Sequence, residues 1–224
     1  MTRMNNKVYE VCNRVLSLLF PDRCPFCSKV INYGEVACAD CYNAFQRKHR
    51  QFRVGDTDCY SVCEYNDNNS KVVLGAKKQR DFSKLSFMAS EIYDLLRAYG
   101  INEEIDIIVP VPMSRIKRIK RGYNHTEKIS RHLSFLSSIK TVKALRKVKE
   151  TKEQKTLGRE QRLINLKDCY RVNNKNVPEG KTVLVIDDVT TTGSTLIEVS
   201  DLLRKHGNKV ICAVFARTPF KENE

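Results

Sequence analysis

The stretch Val183-Leu-Val-Ile-Asp187-Asp188-Val-Thr-Thr191-Thr192-Gly193-Ser194-Thr195-Leu196 constrains this chain more than any other. A run of aliphatic residues of strand length delivers two adjacent carboxylates to the edge of a sheet, where the ligands of open α/β sheets bind. Hydroxyl residues and one glycine then run unbroken from Thr190 to Thr195 and lead into a helical pattern. Such a turn exposes backbone N–H groups beside Thr and Ser hydroxyls at the positive end of a helix dipole, and that holds a phosphate dianion. Carboxylates so near would repel a phosphate, so their partners are hydroxyls or a metal. A sugar phosphate satisfies both halves. Two other readings of the same residues stand beside this one: Thr and Ser that only cap the helix, and paired acids of a phosphoacceptor or Mg²⁺ pocket.

The surrounding pattern is consistent with that sheet edge. Ile105 to Val109 and Lys209 to Phe215 are further strand-like runs, and Thr182 to Ile186 precedes the acids. Ser83 to Tyr99 carries Leu85, Met88, Ile92, Leu95 and Leu96 at helical spacing, and Ser70 to Lys78, Tyr123 to Leu136 and Ser194 to His206 are helix candidates. Thr57 to Tyr65 and Thr141 to Val148 are expected as strands. Buried strands alternating with helices predict an α/β fold with a mostly parallel sheet flanked by helices. Lys149 to Arg162 is polar and aperiodic, too long for an ordinary connection, and is expected to be a mobile loop with a task.

Ahead of this alternation stand two Cys-x-x-Cys hooks, Cys24-Pro-Phe-Cys27 and Cys38-Ala-Asp-Cys41. Two thiolates at that spacing grip one metal ion from a tight turn, and two hooks complete a tetrahedral four-sulfur shell. A closed shell leaves no open coordination position, so a zinc ion there is structural, and it would fold a segment too short to bury its own core. Local disulfides or buried thiols are the other reading. The chain has nine cysteines, an odd number that suits a reduced cytoplasmic chain better than a secreted disulfide framework. Val8, Val11, Val15, Leu18 and Leu19 recur at helical spacing, so residues 1–20 are expected to form an amphipathic helix rather than a secretion signal. No apolar run is long enough to insert in a membrane.

Charge locates the ligand class. The 224 residues carry a formal charge of +14, and Met113 to Arg162 holds sixteen Lys and Arg against four Glu, a net of +12. An anionic partner, phosphate or nucleic acid, is therefore sought near that segment. A solvated basic face is the plainer alternative.

The Val183–Leu196 stretch resembles the phosphoribosyl pyrophosphate (PRPP) signature of type I phosphoribosyltransferases. The resemblance implies that Asp187 and Asp188 hold the ribose hydroxyls, while Thr191, Thr192, Gly193, Ser194 and Thr195 bind the 5′-phosphate. Ile107-Ile-Val-Pro110-Val111-Pro112-Met113-Ser is similar to the family's pyrophosphate loop, and it continues into Arg115, Lys117, Arg118, Lys120 and Arg121-Gly122-Tyr123-Asn124. Thr151, Gln154, Leu157, Arg162 and Asn165 follow in the pattern T-x-x-Q-x-x-L-x-x-x-x-R-x-x-N. With the cysteine hooks in front, the chain looks like the ComF branch of these proteins, whose ComFC-type members are linked to DNA uptake and natural transformation. The likeness runs from about Phe20 to Arg217. It departs at His125, where Gln usually follows Arg-Gly-(Phe/Tyr)-Asn, and at Ser194, where Ala is common.

The resemblance implies a small N-terminal zinc module over 21–56, a type I phosphoribosyltransferase-like domain over 57–224, and transfer of a 5-phosphoribosyl group to a nitrogenous acceptor with release of pyrophosphate. Asp187, Asp188 and Arg162 would serve catalysis. Val111, Pro112, Met113, Arg115 and Arg121 would hold pyrophosphate together with Mg²⁺, and Tyr123, Asn124, His125 and Gln154 would face the acceptor or the lid. A non-catalytic competence factor that binds single-stranded DNA, with PRPP as a regulatory ligand and other DNA-uptake proteins as partners, is the alternative. A transcription regulator on the same fold is a third.

Overall fold

Alternate residues of three neighbouring strands divide cleanly between two cores. Val183 and Val185, Val210, Cys212 and Val214, and Ile107 and Val109 pack on one side, whereas Leu184, Ile186, Ile211, Ala213, Phe215 and Ile108 pack on the other. The period of two is that of strands buried on both faces. The structure is a computed structural model that describes residues 21–32, 34–78, 82–149, 168–173 and 179–219. The expected helix over 1–20 and the segment with Thr151, Gln154, Leu157, Arg162 and Asn165 lie outside the described residues.

The elements run α1 (Ala39–Ala44), β1 (Arg50–Val54), β2 (Thr57–Glu64), α2 (Asp67–Lys78), α3 (Phe82–Ala98), β3 (Ile107–Pro110), α4 (Arg115–Arg121), α5 (His125–Ser137), β4 (Lys140–Thr141), β5 (Leu145–Lys147), β6 (Tyr170–Val172), β7 (Thr182–Thr190), α6 (Ser194–Arg204) and β8 (Lys209–Arg217). Six strands form one sheet in the order β1-β2-β8-β7-β3-β4, and only β1 pairs antiparallel. The α/β class with a mostly parallel sheet is thus as the alternation predicts. From β7 the chain crosses through α6 to β8, and from β3 through α4 and α5 to β4, so the two crossovers leave in opposite directions. Right-handed connections then put their helices on opposite faces. α6 contributes Leu196, Val199 and Leu203 to one core, and α3 and α5 contribute Leu85, Ile92, Leu96, Ile129 and Leu133 to the other. Each such buried side chain is worth about 1.5–3 kcal/mol of transfer free energy.

The strand expected over Thr141–Val148 is two pieces. β4 joins the main sheet, whereas β5 pairs antiparallel with β6 in a separate ribbon. The reason is Pro110. Val142 still donates to Ile108 O at 2.8 Å, but the next donor along β3 would be the N–H that proline lacks, so the ladder stops.

The segment 21–56 is joined to the sheet at its end, since Arg50–Val54 forms the edge hairpin with β2. Its cysteine part packs on α3 and β8 through aromatic rings. Phe26 and Phe45 each lie 5.0 Å from Phe87, edge to face, and Phe45 stacks at 5.8 Å on Phe215. Arg47 locks the contact with a two-pronged bond to the fully buried Glu91, Nη2 to Oε1 at 2.6 Å and Nε to Oε2 at 2.8 Å.

Candidate active site

β3 and β7 are parallel neighbours with Pro110 opposite Ile186. The loop 111–114 and the pair Asp187–Asp188 therefore leave the same sheet edge side by side. Because the crossovers diverge there, this is the topological switch point, where open α/β sheets bind ligands. A cavity of ≈260 Å³ opens between them, walled by Val111, Pro112, Ser114, Lys117, Arg121 and Thr195 as well as by both acids.

The two acids are not equivalent. β7 does not end at Ile186 but continues, paired with β8, to Thr190. Asp187 and Asp188 are thus consecutive strand residues whose side chains face opposite ways. Asp188 turns to the side of Leu184 and Ile186, beneath α2 and α5. There its Oδ2 lies 2.5 Å from Lys77 Nζ and 3.2 Å from His125 Nε2. Arg121 Nη1 sits 2.9 Å from His125 Nδ1. A guanidinium only donates, so Nδ1 accepts and the ring proton is on Nε2, toward Asp188. Burial works to push the Asp188 carboxyl up, but His125 and Lys77 outweigh it and hold it well below the usual carboxylate range. Asp187 turns the other way, toward Tyr170. Burial first, and then the charge of Asp188, push its carboxyl well above the usual range. Of the two acids expected to hold the ribose, Asp188 is thus engaged by internal partners, and Asp187 is half-buried without an ion pair among the described residues.

The turn beyond them is only partly exposed, and of residues 191–195 Thr195 lines the cavity. Thr191 is exposed and Thr192 and Thr195 half-buried, while Gly193 and Ser194 are buried. Gly193 occupies the N-cap of α6 at φ +76° and brings no side chain of its own, while Thr192 Oγ1 accepts from Ser194 N at 3.5 Å and the Thr192 and Ser194 hydroxyls bond each other at 2.7 Å. A Cβ at Gly193 would meet Val54 Cγ1 at 2.4 Å. The hairpin at the sheet edge thus presses on the turn from behind and leaves room for glycine alone.

Arg121-Gly122-Tyr123-Asn124 is a helix–turn–helix joint. Gly122 ends α4 at φ +82°, with its N–H on Arg118 O, and Asn124 caps α5 by accepting from Thr126 N at 3.2 Å. Asn124 Nδ2 also donates to Val111 O at 3.4 Å, and Thr126 Oγ1 lies 2.6 Å from the same carbonyl. The joint therefore holds the 111–114 loop against α5. Of the residues read as a pyrophosphate loop, Val111, Pro112, Met113 and Arg121 line the cavity, while Arg115 lines a second one on the other face of α4. Asn124 and His125 line the same cavity. Tyr123 does not. It is buried, its hydroxyl donates to Ala76 O, and its ring lies 6.2 Å from Phe82, so it fastens α2 to α5. Arg162 and Gln154 are outside the described residues.

Lys77, Lys147 and Tyr170 also line the cavity, and none of the three stands in a motif that marks it in the sequence. Lys77 comes from the end of α2, with no local motif to mark it. Tyr170 and Lys147 face each other across the β5–β6 ribbon, and the break of the Thr141–Val148 run at Pro110 hid that ribbon.

The four hook cysteines form the other cluster. One sulfur from each of Cys24, Cys27, Cys38 and Cys41 lies within 4.8 Å of the others, and Cys27 Sγ is 3.6 Å from Cys38 Sγ. A tetrahedral zinc with bonds near 2.3 Å needs sulfurs about 3.8 Å apart, so the shell fits a metal ion. Burial raises the Cys24 thiol, but the N–H groups of Cys27, Cys38 and Phe26 outweigh it and bring it down to about 6. None of the eight described cysteines is in a disulfide, and Cys59, Cys63, Cys169 and Cys212 are buried in the cores.

Residues 82–224 match the phosphoribosyl transferase domain family. "Competence protein F" of Haemophilus influenzae is 29% identical over 189 residues, 82% of this chain and 79% of that protein. "Competence protein ComFC" of Bacillus subtilis is 24% identical over 215 residues, 96% of this chain and 85% of that protein. Among solved structures, orotate phosphoribosyltransferase from Aeropyrum pernix aligns with a TM-score of 0.40 at 19% identity, covering 80% of this chain and 78% of that one.

Proposed function

Because the chain belongs to the phosphoribosyl transferase domain family, in its ComF/ComFC branch, we propose that it binds PRPP at the β3–β7 edge and transfers the phosphoribosyl group to a nitrogenous acceptor. The observation that carries this reading is the convergence on one ≈260 Å³ cavity of Asp187, the turn residue Thr195, the 111–114 loop and the cations Lys117 and Arg121. In the reaction the bond from C1′ to the diphosphate oxygen breaks, and pyrophosphate leaves with the electron pair. A bond from the acceptor nitrogen to C1′ forms, and that nitrogen gives up its proton.

Each part has a task in that step. The 191–195 turn takes the 5′-phosphate at the α6 N-terminus. Asp187 takes the ribose hydroxyls, its raised proton affinity suiting it to donate as well as accept. Asp188 acts through position: it anchors Lys77 and His125, which face the same cavity. Lys117 and Arg121 meet the charge that grows on the leaving diphosphate. Mg²⁺ supplies further neutralisation of that charge. His125, Asp187 and Asp188 have ligand atoms within 4.8 Å of one another, and Asp187 is the donor open to an ion, since Lys77 already neutralises Asp188. Lys149 to Arg162, which lies outside the described residues beyond Lys149, would serve as the lid that excludes water. The four thiolates hold a structural zinc.

The test is pyrophosphate release from PRPP and Mg²⁺ with a panel of nitrogenous bases and nucleosides. Release that depends on the acceptor and is abolished in Asp187→Asn is expected. PRPP that binds and is never consumed would reduce the chain to a PRPP-responsive binder.

That binder is a second reading, favoured by one surface. Phe135 is 77% and Phe82 52% exposed. Lys128 Nζ stands 5.1 Å over the Phe82 ring, His132 is 6.4 Å from the Phe135 ring, and Arg131 lines the same groove. Rings interleaved with cations are the means of sequence-tolerant single-strand binding. The competence names of the relatives give that surface a context, DNA handling in the cytoplasm with other uptake proteins. No helix among the described residues is long and apolar enough to cross a membrane. Anisotropy of labelled single-stranded DNA, steeply salt-dependent and weakened in Phe82→Ala/Phe135→Ala, is the expected outcome.

A further inference from the structure

α4 has two cationic faces. Ser114, Lys117 and Arg121 look into the cavity with the paired acids, while Arg115 and Arg118 look into a second cavity of ≈300 Å³. Pro112, Met113, Asn124 and Lys147 are common walls of the two, so the 111–114 loop is a partition between adjoining chambers.

The second chamber is lined by Arg115, Arg118, Lys143, Arg146 and Lys147, with Pro110 and Leu145 supplying apolar wall. One acid stands among the five cations. Glu127 Oε1 is 3.7 Å from Arg118 Nη1, and Oε2 is 2.6 Å from Lys143 Nζ. Both of its oxygens are therefore committed, and they hold two of the cations at the rim in set positions. Arg115 and Arg146 have no ion-pair partner among the described residues. The chamber is left with four formal positive charges beyond Glu127, more than a carboxylate would need. Arginine forks offer paired N–H groups that match the oxygens of a tetrahedral oxyanion.

We propose that this chamber is a second anion site that binds the phosphomonoester group of the acceptor, while PRPP occupies the first. The inference rests on the transferase reading and narrows it: the acceptor is a phosphorylated nitrogenous compound that reaches over Pro112 and Met113 from one chamber into the other. It also gives Arg115 a different task from the pyrophosphate contact expected from the sequence.

The test is calorimetric titration of the full chain with inorganic phosphate, with PRPP saturating and no divalent ion present so that no turnover occurs. The wild type should bind phosphate saturably without losing PRPP. Arg146→Ala should weaken phosphate binding about tenfold, as loss of one charge-assisted contact implies, and Lys143→Ala/Arg146→Ala should weaken it further. Melting curves on these exposed-site variants check that the fold is intact. Displacement of PRPP by phosphate, absence of phosphate binding to the loaded wild type, or equal binding by the variants would overturn the proposal. If PRPP itself fails to bind, the titration is run on the unloaded chain. Loss of phosphate binding in Arg146→Ala then keeps the second site while the reading of the first cavity falls, and unchanged binding removes both.

Discussion

Lys77 Nζ lies 2.5 Å from Asp188 Oδ2, joining the end of α2 to the strand tip that bears the paired acids. Asp188 is buried and Lys77 half-buried, and each partner keeps the other charged. Burial works against the charge of Lys77, and the two neighbouring carboxylates outweigh it to hold Lys77 above the usual lysine range. Removing the Asp188 carboxylate takes the directly paired counter-ion from a half-buried ammonium and leaves only the more distant Asp187. Asp188→Asn is therefore expected to lower the unfolding free energy by about 3 kcal/mol, read as a fall in the urea midpoint with unchanged slope.

Asp187 predicts the opposite sign. Its folded-state carboxyl is pushed above its unfolded value by burial and by Asp188, so the folded chain holds a proton that the unfolded chain releases. That raised affinity makes wild-type stability fall as pH rises from the unfolded value to the folded one, and the penalty is complete above the folded value. Asp187→Asn removes the penalty and should stabilise the chain by about 1 kcal/mol at pH 8. The gain should vanish toward pH 4, where wild-type Asp187 is protonated as well. A gain independent of pH would contradict this account of the acid.

Gly193→Ala tests the contact behind the turn. The left-handed φ and the Cβ position 2.4 Å from Val54 Cγ1 together require the turn or the β1–β2 hairpin to move. A cost of about 1–3 kcal/mol is expected, with weakened binding of PRPP or inorganic phosphate at the turn. Gly193→Ala/Val54→Ala should recover part of the stability, because the clash is relieved and the φ strain is not.

The four-thiolate shell predicts one zinc ion per chain on elemental analysis. Zinc sites of this kind contribute about 10–16 kcal/mol of binding free energy to small modules, so stripping the metal should unfold the hooks. Phe26 would then leave Phe87 and Phe45, and the near-UV circular dichroism of that aromatic cluster should fall. A chain purified without metal yet unchanged in that signal would contradict a structural role.

The alternating strands and helices, the cysteine shell and the strand–acid–turn–helix segment were legible in the sequence because each is local. The side on which each acid works was not. A strand ending at Ile186 would leave Asp187 and Asp188 together at its tip, whereas three more ladder residues divide them between the two faces. Lys77 was invisible for a different reason. It reaches Asp188 because the Tyr123 hydroxyl bond to Ala76 O and the packing of α2 on α3 bring the end of α2 over the sheet edge, and the matched family span begins after it, at residue 82. The Thr141–Val148 strand failed at a specific atom, the missing N–H of Pro110, whose effect falls on a neighbouring strand.

Asp187, the 191–195 turn and the 111–114 loop are proposed to form one sugar-phosphate site. Calorimetric titration with PRPP, with and without Mg²⁺, on wild type and on the better-folded Asp187→Asn variant tests it most directly. One PRPP per chain, tightened by Mg²⁺ and weakened at least about tenfold in Asp187→Asn despite its higher melting temperature, is the predicted result. Equal PRPP affinity in both proteins, or no binding to a wild type shown to be folded and metal-loaded, would contradict it.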